Sequence, residues 1–282
     1  MNAKENILQS FHKLTPKLQE AARYIVDHPN EVVVASMRTL AQRIQGQPAT
    51  FVRLAQQLGY AGWPELRAAF AKDLGLNSGE YAAKARSLVK QSSRSMMVQE
   101  MFEVLSENLG ETERNTQSKL EQVAQSLEKA RAVHIAGFRA SMPMAYALYY
   151  GYRLFRSSVF LLDNQHGALD MQSRAIEKDD VLVVISFSPY SREACALMHF
   201  AQESGVQIIA LTDSDVSPLA LGAHQSMIFS VNSPSFFPSV TAGVALVEAL
   251  LEVLVAMGGD ETVEKIHRTE RSLFDSGSYQ AR

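Results

Sequence analysis

A single cysteine, Cys195, in 282 residues excludes an internal disulfide framework. It falls in an apolar stretch of helical rhythm, where a thiol packs as a small inert hydrophobe rather than serving as a nucleophile. The seven histidines are scattered without metal-ligand spacing, so no metal is expected, and no other cofactor. The opening MNAKENILQSFHKL lacks the long apolar core of a secretory signal, and a cytoplasmic location is the expectation. The most apolar long stretch, 240–257, carries Glu248 and Glu252, which argues for a core helix over a membrane span. There is no internal repeat and no low-complexity segment.

What is present suits a packed globular chain: 46% of the residues are hydrophobic and 20% charged. The net charge of −3 is unevenly spread. Residues 1–77 hold nine Lys/Arg against six Asp/Glu, and the remainder 18 against 24. A mildly basic head on an acidic body is compatible with a nucleic-acid-binding head.

The head, 1–77, reads as all-helical. Thr15-Pro16 is a helix start with a hydroxyl N-cap and proline at N1. Leu18, Ala21, Ala22 and Ile25 follow at helical spacing, and Asp27-His28-Pro29-Asn30 ends that helix. Ser36 caps a second helix, with Met37, Leu40, Ala41 and Ile44 inward. Gly46-Gln47-Pro48 turns the chain into a third, with Phe51, Leu54, Ala55 and Leu58 inward and Gly59 at its C-terminal cap. Pro64 opens a fourth, with Leu66, Phe70 and Leu74 on one side. The second and third helices have helix-turn-helix spacing. Gln47, Thr50, Arg53, Gln56 and Gln57 are the candidate DNA-contact residues, being hydrogen-bonding groups suited to phosphates and base edges. An ordinary solvated helix face fits the same pattern.

Residues 78–130 read as a helical connector. Met97, Met101, Val104 and Leu105 form one stripe; Leu120, Val123, Ala124 and Leu127 form another. A break is expected between them over 110–115. The first stripe suits packing on its own domain or on a second copy. From 131 the rhythm alternates strand candidates (132–136, 159–162, 181–186, 207–211, 227–231) with helices, closing with a long helix at 240–255. This implies an α/β fold with a mostly parallel sheet covered by helices on both faces. The run at 181–193, VLVVISFSPYSRE, is an apolar strand emptying into a serine loop and a helix. Hydroxyls, free N–H groups and the positive end of a helix dipole converge there, as at an anion site. The boundaries expected are 1–77, 78–130, 131–258 and a C-terminal helix and tail at 259–282. His166 and Asp170 are weaker ligand candidates. His134 reads as a satisfied core histidine. Ser233, Ser235 and Ser239 line a pocket or merely cap and turn the chain.

The chain resembles the RpiR family of bacterial transcriptional regulators, which join an N-terminal helix-turn-helix domain to a C-terminal sugar isomerase (SIS) domain. The head matches through Leu14-Thr15-Pro16, Leu40-Ala41, Ala49-Thr50, Arg53 and Leu58-Gly59-Tyr60. Gly46 and Gln47 replace the family's usual Val-Ser, which weakens the cap of the recognition helix. The family's first SIS loop resembles G-x-G-x-S; this chain has Gly137-Phe138-Arg139-Ala140-Ser141, with Arg139 at the second glycine. The second resembles S-x-S-G-x-T; here it is Ser186-Phe187-Ser188-Pro189-Tyr190-Ser191. Leu211-Thr212-Asp213-Ser214 with Ser217-Pro218-Leu219-Ala220 follows the third.

The resemblance implies a ligand-responsive regulator, not an enzyme, that binds a double-stranded DNA operator as a homodimer or homotetramer. It implies a cradle for a small anionic metabolite, a sugar phosphate above all, formed by Gly137, Arg139, Ser141, Ser186, Ser188, Tyr190 and Ser191. Arg139 offers a planar bidentate clamp for phosphate or carboxylate, or else points to solvent or pairs with an acidic neighbour. Two alternatives stand. One is a phosphosugar isomerase, whose acid/base candidates, Glu193 and His166, lack an evident partner. The other is an SIS module acting through protein partners.

Overall fold

The computed structural model describes residues 3–73, 80–91 and 93–278, which form two compact units, 1–80 and 81–282. The expected boundary at 77 and the inward Leu74 lie outside the described residues.

The first unit is all helix: α1 (Ala3–Ser10), α2 (Pro16–Asp27), α3 (Pro29–Val34), α4 (Met37–Arg43), α5 (Pro48–Gln57) and α6 (Trp63–Asp73). Its core gathers the expected stripes, with Leu18, Ala22, Ile25, Leu40, Phe51, Leu54 and Phe70 buried together. Ser36 caps α4, accepting from the Thr39 N–H at 3.1 Å. Thr15 stands at the N-cap of α2, but its hydroxyl makes no capping bond. Pro29 does not merely end α2; it starts the short α3, because proline is well tolerated at a first helical position. Gly59 has φ +89 at the end of α5, a conformation that glycine adopts without a Cβ clash.

The second unit opens with α7 (Glu80–Lys90), α8 (Arg94–Thr116) and α9 (Leu120–Lys129). The break expected at 110–115 is absent. α8 runs through Gly110, and the turn falls at 117–119 instead. One mid-helix glycine costs only about 1 kcal/mol, which packing readily offsets.

Strands and helices then alternate: β1 (Val133–Gly137), α10 (Met142–Arg153), β2 (Val159–Leu162), α11 (Leu169–Arg174), β3 (Val181–Ile185), α12 (Arg192–Ser204), β4 (Gln207–Thr212), α13 (Pro218–Gly222), β5 (Gln225–Ile228) and α14 (Thr241–Asp275). All five strands are parallel, in the order β2-β1-β3-β4-β5. β1 and β3 are buried at every position, as strands covered on both faces must be. On one face Ile135, Val183, Ile209 and Met227 pack with Leu148 of α10 and Leu250 of α14. On the other, Leu182, Val184, Ile208 and Ala210 pack with Leu197 of α12 and Leu219 of α13.

By length and composition α14 could cross a membrane. Its first half instead supplies Leu246, Val247, Leu250 and Leu254 to the core, with Glu248 and Glu252 exposed. It bends at Gly259, where φ is +55 and ψ −149.

Candidate functional site

Chain direction across the sheet reverses between β1 and β3. From β1 the chain moves outward to β2, then returns past β1 to β3 and onward. Ligands of open α/β sheets bind beyond the strand C-termini at such a switch point. The two loops predicted to form the cradle leave from these two strands.

The first loop is shaped by close packing. A Cβ on Gly137 would lie 2.6 Å from the Ala145 Cβ and 2.8 Å from the Ser141 carbonyl oxygen, so no side chain fits there. The chain folds over that contact in a 3-10 turn, Arg139–Ser141, closed by the Ser141 N–H on the Phe138 carbonyl at 3.0 Å. Arg139 has φ +53, the left-handed conformation suited to the glycine of the resembled motif. Its guanidinium is largely exposed and reaches the Glu193 carboxylate at 3.2 Å. Of the two readings given for Arg139, this geometry is the acidic-neighbour pairing. Ser141 is buried beside the start of α10.

The second loop is held by its own hydroxyls. Ser191 caps α12, accepting from the Ala194 N–H at 3.1 Å. The Ser191 N–H donates to Ser186 Oγ at 3.3 Å. The Ser188 N–H donates to Asp213 Oδ2 at 3.1 Å, and the Tyr190 hydroxyl to Asp213 Oδ1 at 2.8 Å. Thr212 Oγ1 adds a third contact to that carboxylate at 3.2 Å. Tyr190 is half-buried; burial first, and then the Asp213 carboxylate, push its hydroxyl above the ordinary tyrosine value.

The structure thus joins Ser186, Ser188, Tyr190 and Ser191 in one bonded loop, and Arg139 links the first loop to the foot of α12. Sequence reasoning did not select Asp213 or weigh Glu193 as Arg139's partner. The available signal was position: Asp213 directly follows a strand adjacent to β3. Glu193 Oε2 is buried without a hydrogen-bond partner.

The other candidates resolve into structural roles. His134 is the buried core histidine expected, but only half satisfied: Nε2 lies 3.0 Å from Asp180 Oδ2, while Nδ1 is buried without a hydrogen-bond partner. Asp180 also accepts two bonds from Arg131 at 2.9 Å and one from the Glu177 N–H. Burial lowers the His134 pKa, outweighing the Asp180 bond. Burial pulls the Asp180 carboxyl up, but its Glu177, Arg131 and His134 bonds together hold it below the usual carboxylate value. Asp170 pairs with Arg174 on its own helix. The His166 side chain lies outside those described. Ser233 and Ser239 accept from the N–H groups of Ser235 and Thr241, as turn formers do. Cys195 is half-buried and its thiol pKa is raised by burial, as for an inert thiol. Among the described residues no cluster of three or more His, Cys, Asp or Glu could hold a metal.

On the helical unit, Gln47, Arg53, Gln56 and Gln57 are exposed and Thr50 is half-buried, all on or beside α5. Gln47 stands at the N-cap and makes no side-chain capping bond.

A helix-turn-helix unit followed by a parallel-sheet α/β unit has the build of a regulator with an appended sensing domain. Residues 1–76 match the helix-turn-helix domain of the rpiR family and residues 126–253 the SIS domain. In that order on one chain, they make the protein a member of the RpiR family of transcriptional regulators. It is 28% identical over 227 residues to YbbH of Bacillus subtilis, an uncharacterized HTH-type transcriptional regulator, covering 76% of each chain. It is 24% identical over 221 residues to the HTH-type regulator HexR of Pseudomonas aeruginosa, covering 78% of this chain and 75% of that one. Both relatives are HTH-type transcriptional regulators. Among solved structures, Vibrio vulnificus NanR complexed with ManNAc-6P superposes with TM-score 0.57 at 20% identity, over 97% of this chain and 98% of that one. The sugar isomerase domain of an RpiR transcription factor from Sphaerobacter thermophilus gives 0.58 at 24%, over 61% and 97%.

Proposed function

We propose that the SIS domain binds a small anionic metabolite, a sugar phosphate above all, at Gly137, Arg139, Ser141, Ser186, Ser188, Tyr190 and Ser191, and that binding changes operator affinity. The observation carrying this reading is the pair of serine loops flanking the switch point. One of them runs into the N-terminus of α12, where free N–H groups and the helix dipole favour an anion. NanR holding a sugar phosphate on the same fold supports the choice of class.

DNA is read by α5 through Gln47, Thr50, Arg53, Gln56 and Gln57, in two copies on half-sites about 34 Å apart. The protein works in the cytoplasm as a homodimer or homotetramer. Its functional divisions are 1–77 for DNA, 78–130 as connector, 131–258 for the effector and 259–282 as a C-terminal extension.

Thermal-shift screening of sugar phosphates tests the cradle. A hit should stabilise the wild type and not Ser141→Ala or Ser188→Ala. A hit unaffected by both changes refutes the cradle. Arg53→Ala should weaken binding to the protein's own promoter and reduce the salt slope by about 1 if Arg53 contacts a phosphate. Unchanged affinity in Arg53, Gln56 and Gln57 variants refutes the reading face.

A further inference from the structure

The two carboxylates beside the serine loops are not equivalent. Asp213 is spent on the second loop, where it accepts from the Ser188 N–H, the Tyr190 hydroxyl and the Thr212 hydroxyl. Glu193 is not spent in this way. Its Oε1 accepts from the Arg139 guanidinium at 3.2 Å, and its Oε2 is buried with no hydrogen-bond partner among the described residues. Glu193 is the second residue of α12, directly after the Ser191 cap, so its pairing with Arg139 ties the first loop to the foot of the second. The arginine side chain is 73% exposed and the glutamate side chain 24%. The guanidinium is thus the partner free to move, and the carboxylate is the more enclosed. A buried acceptor without a donor is unfavourable, and a ligand that brings the donor relieves it.

A carboxylate at this place works against a bare anion. A phosphate arriving at the serine loops and the N-terminus of α12 meets like charge on Glu193 and competes with it for Arg139. The same carboxylate favours an anion that also carries a hydroxyl or an amine. The exchange is then balanced. Arg139 leaves Glu193 for the phosphate, which its planar fork can hold by paired bonds, and the hydroxyl or amine donates to the carboxylate left behind. A phosphate ester of a polyol brings both groups; a simple alkyl phosphate brings one. Arg139 stands where the resembled loop has glycine, so this exchange belongs to the chain's own departure from the motif.

We infer that Glu193 is a specificity-determining residue of the effector site: it selects, among phosphate esters, those that present a hydroxyl or amine to its carboxylate, while Arg139 passes from Glu193 to the phosphate. The inference rests on the proposed cradle. Isothermal titration of the full chain tests it with glucose 6-phosphate, fructose 6-phosphate, glucosamine 6-phosphate and ManNAc-6P. Methyl phosphate is the control, at mildly alkaline pH where it is a dianion without a donor. Wild type should bind at least one of the sugar phosphates, well ahead of methyl phosphate. Glu193→Ala should weaken that sugar phosphate about tenfold, through loss of a hydrogen bond to a charged acceptor. It should tighten methyl phosphate about two- to fivefold, because the exposed pair that held Arg139 is gone. Glu193→Gln, which keeps an acceptor oxygen, should retain more of the sugar phosphate affinity than Glu193→Ala.

Opposite shifts for the two kinds of ligand separate selection from a merely structural role, which would weaken both. A wild type that binds none of the sugar phosphates refutes the sugar-phosphate reading and this inference with it. A sugar phosphate whose preference over methyl phosphate is unchanged in Glu193→Ala refutes the selection alone and leaves the cradle standing. The tightening for methyl phosphate should vanish in an Arg139→Gly background, where no guanidinium is left to release. The same tightening in that background overturns the exchange by Arg139.

Discussion

Removing the Tyr190 hydroxyl tests how the second loop is held. In wild type it donates to Asp213 Oδ1 at 2.8 Å from a half-buried position. A hydrogen bond from a neutral donor to a carboxylate contributes about 1.5–3 kcal/mol. Asp213 keeps the Thr212 hydroxyl and the Ser188 N–H as donors, so the carboxylate is not stranded in Tyr190→Phe. That argues for the lower end of the range, about 1.5 kcal/mol, or a fall of roughly 3–6 °C in the melting temperature of the SIS unit. The phenyl ring preserves the packing against the sheet, so the effect isolates the bond. Differential scanning calorimetry of wild type, Tyr190→Phe, Asp213→Asn and the double variant forms a cycle, with an expected coupling of about 1 kcal/mol. The raised pKa of Tyr190 fixes the pH window. Protonated tyrosine is the form the fold prefers, so the contribution is complete below pH 10.0, the ordinary tyrosine value, and is lost as pH rises through the folded value. A Tyr190→Phe protein that melts with wild type at neutral pH, or an additive cycle, refutes the bond as a support of the loop.

Three further outcomes follow from the same geometry. Gln47→Ser supplies the missing N-cap of α5 and should stabilise the helical unit by about 0.5–1 kcal/mol in denaturant titration. Ser191→Ala removes the cap of α12 and should cost about 1 kcal/mol of SIS-unit stability even without ligand. Asp180→Asn should cost about 2 kcal/mol at neutral pH, since it disturbs a buried acceptor of four bonds. The Asp180 pKa is depressed, so its contribution is present above 3.8 and lost as pH falls through the folded value; the variant and wild type should converge there in acid denaturation.

The sheet was legible because its central strands are uninterrupted apolar runs: Val181–Ile185 emerged within a residue of its expected span. The edge strand β5 was displaced by two residues or more, because Gln225 and Ser226 pair in the ladder without an apolar signature. The long helix expected over 240–255 and the further helix expected from 259 meet at Gly259, whose φ of +55 and ψ of −149 are non-helical and kink the run Thr241–Asp275. The loops at 137–141 and 186–191 were legible from residue type and order. The Tyr190–Asp213 bond was not, because 23 residues separate its partners in sequence and only the adjacency of β3 and β4 unites them. The hydrogen bonds of Asn108 and Thr112 on α8 to Ser230 and Asn232 were hidden for a related reason: more than a hundred residues separate the partners.

The left-handed backbone at Arg139 separates shape from chemistry in the first loop. The path of that loop is set by Gly137 against Ala145 and the Ser141 carbonyl, two residues away from where the guanidinium stands. Residue 139 holds a glycine's conformation with an arginine's side chain, at a strain of about 1–2 kcal/mol that the surrounding packing sustains. If the proposed cradle holds the effector, position 139 is a site where side chains can be exchanged over evolutionary time to change which effector is accepted, with no redesign of the scaffold that presents them.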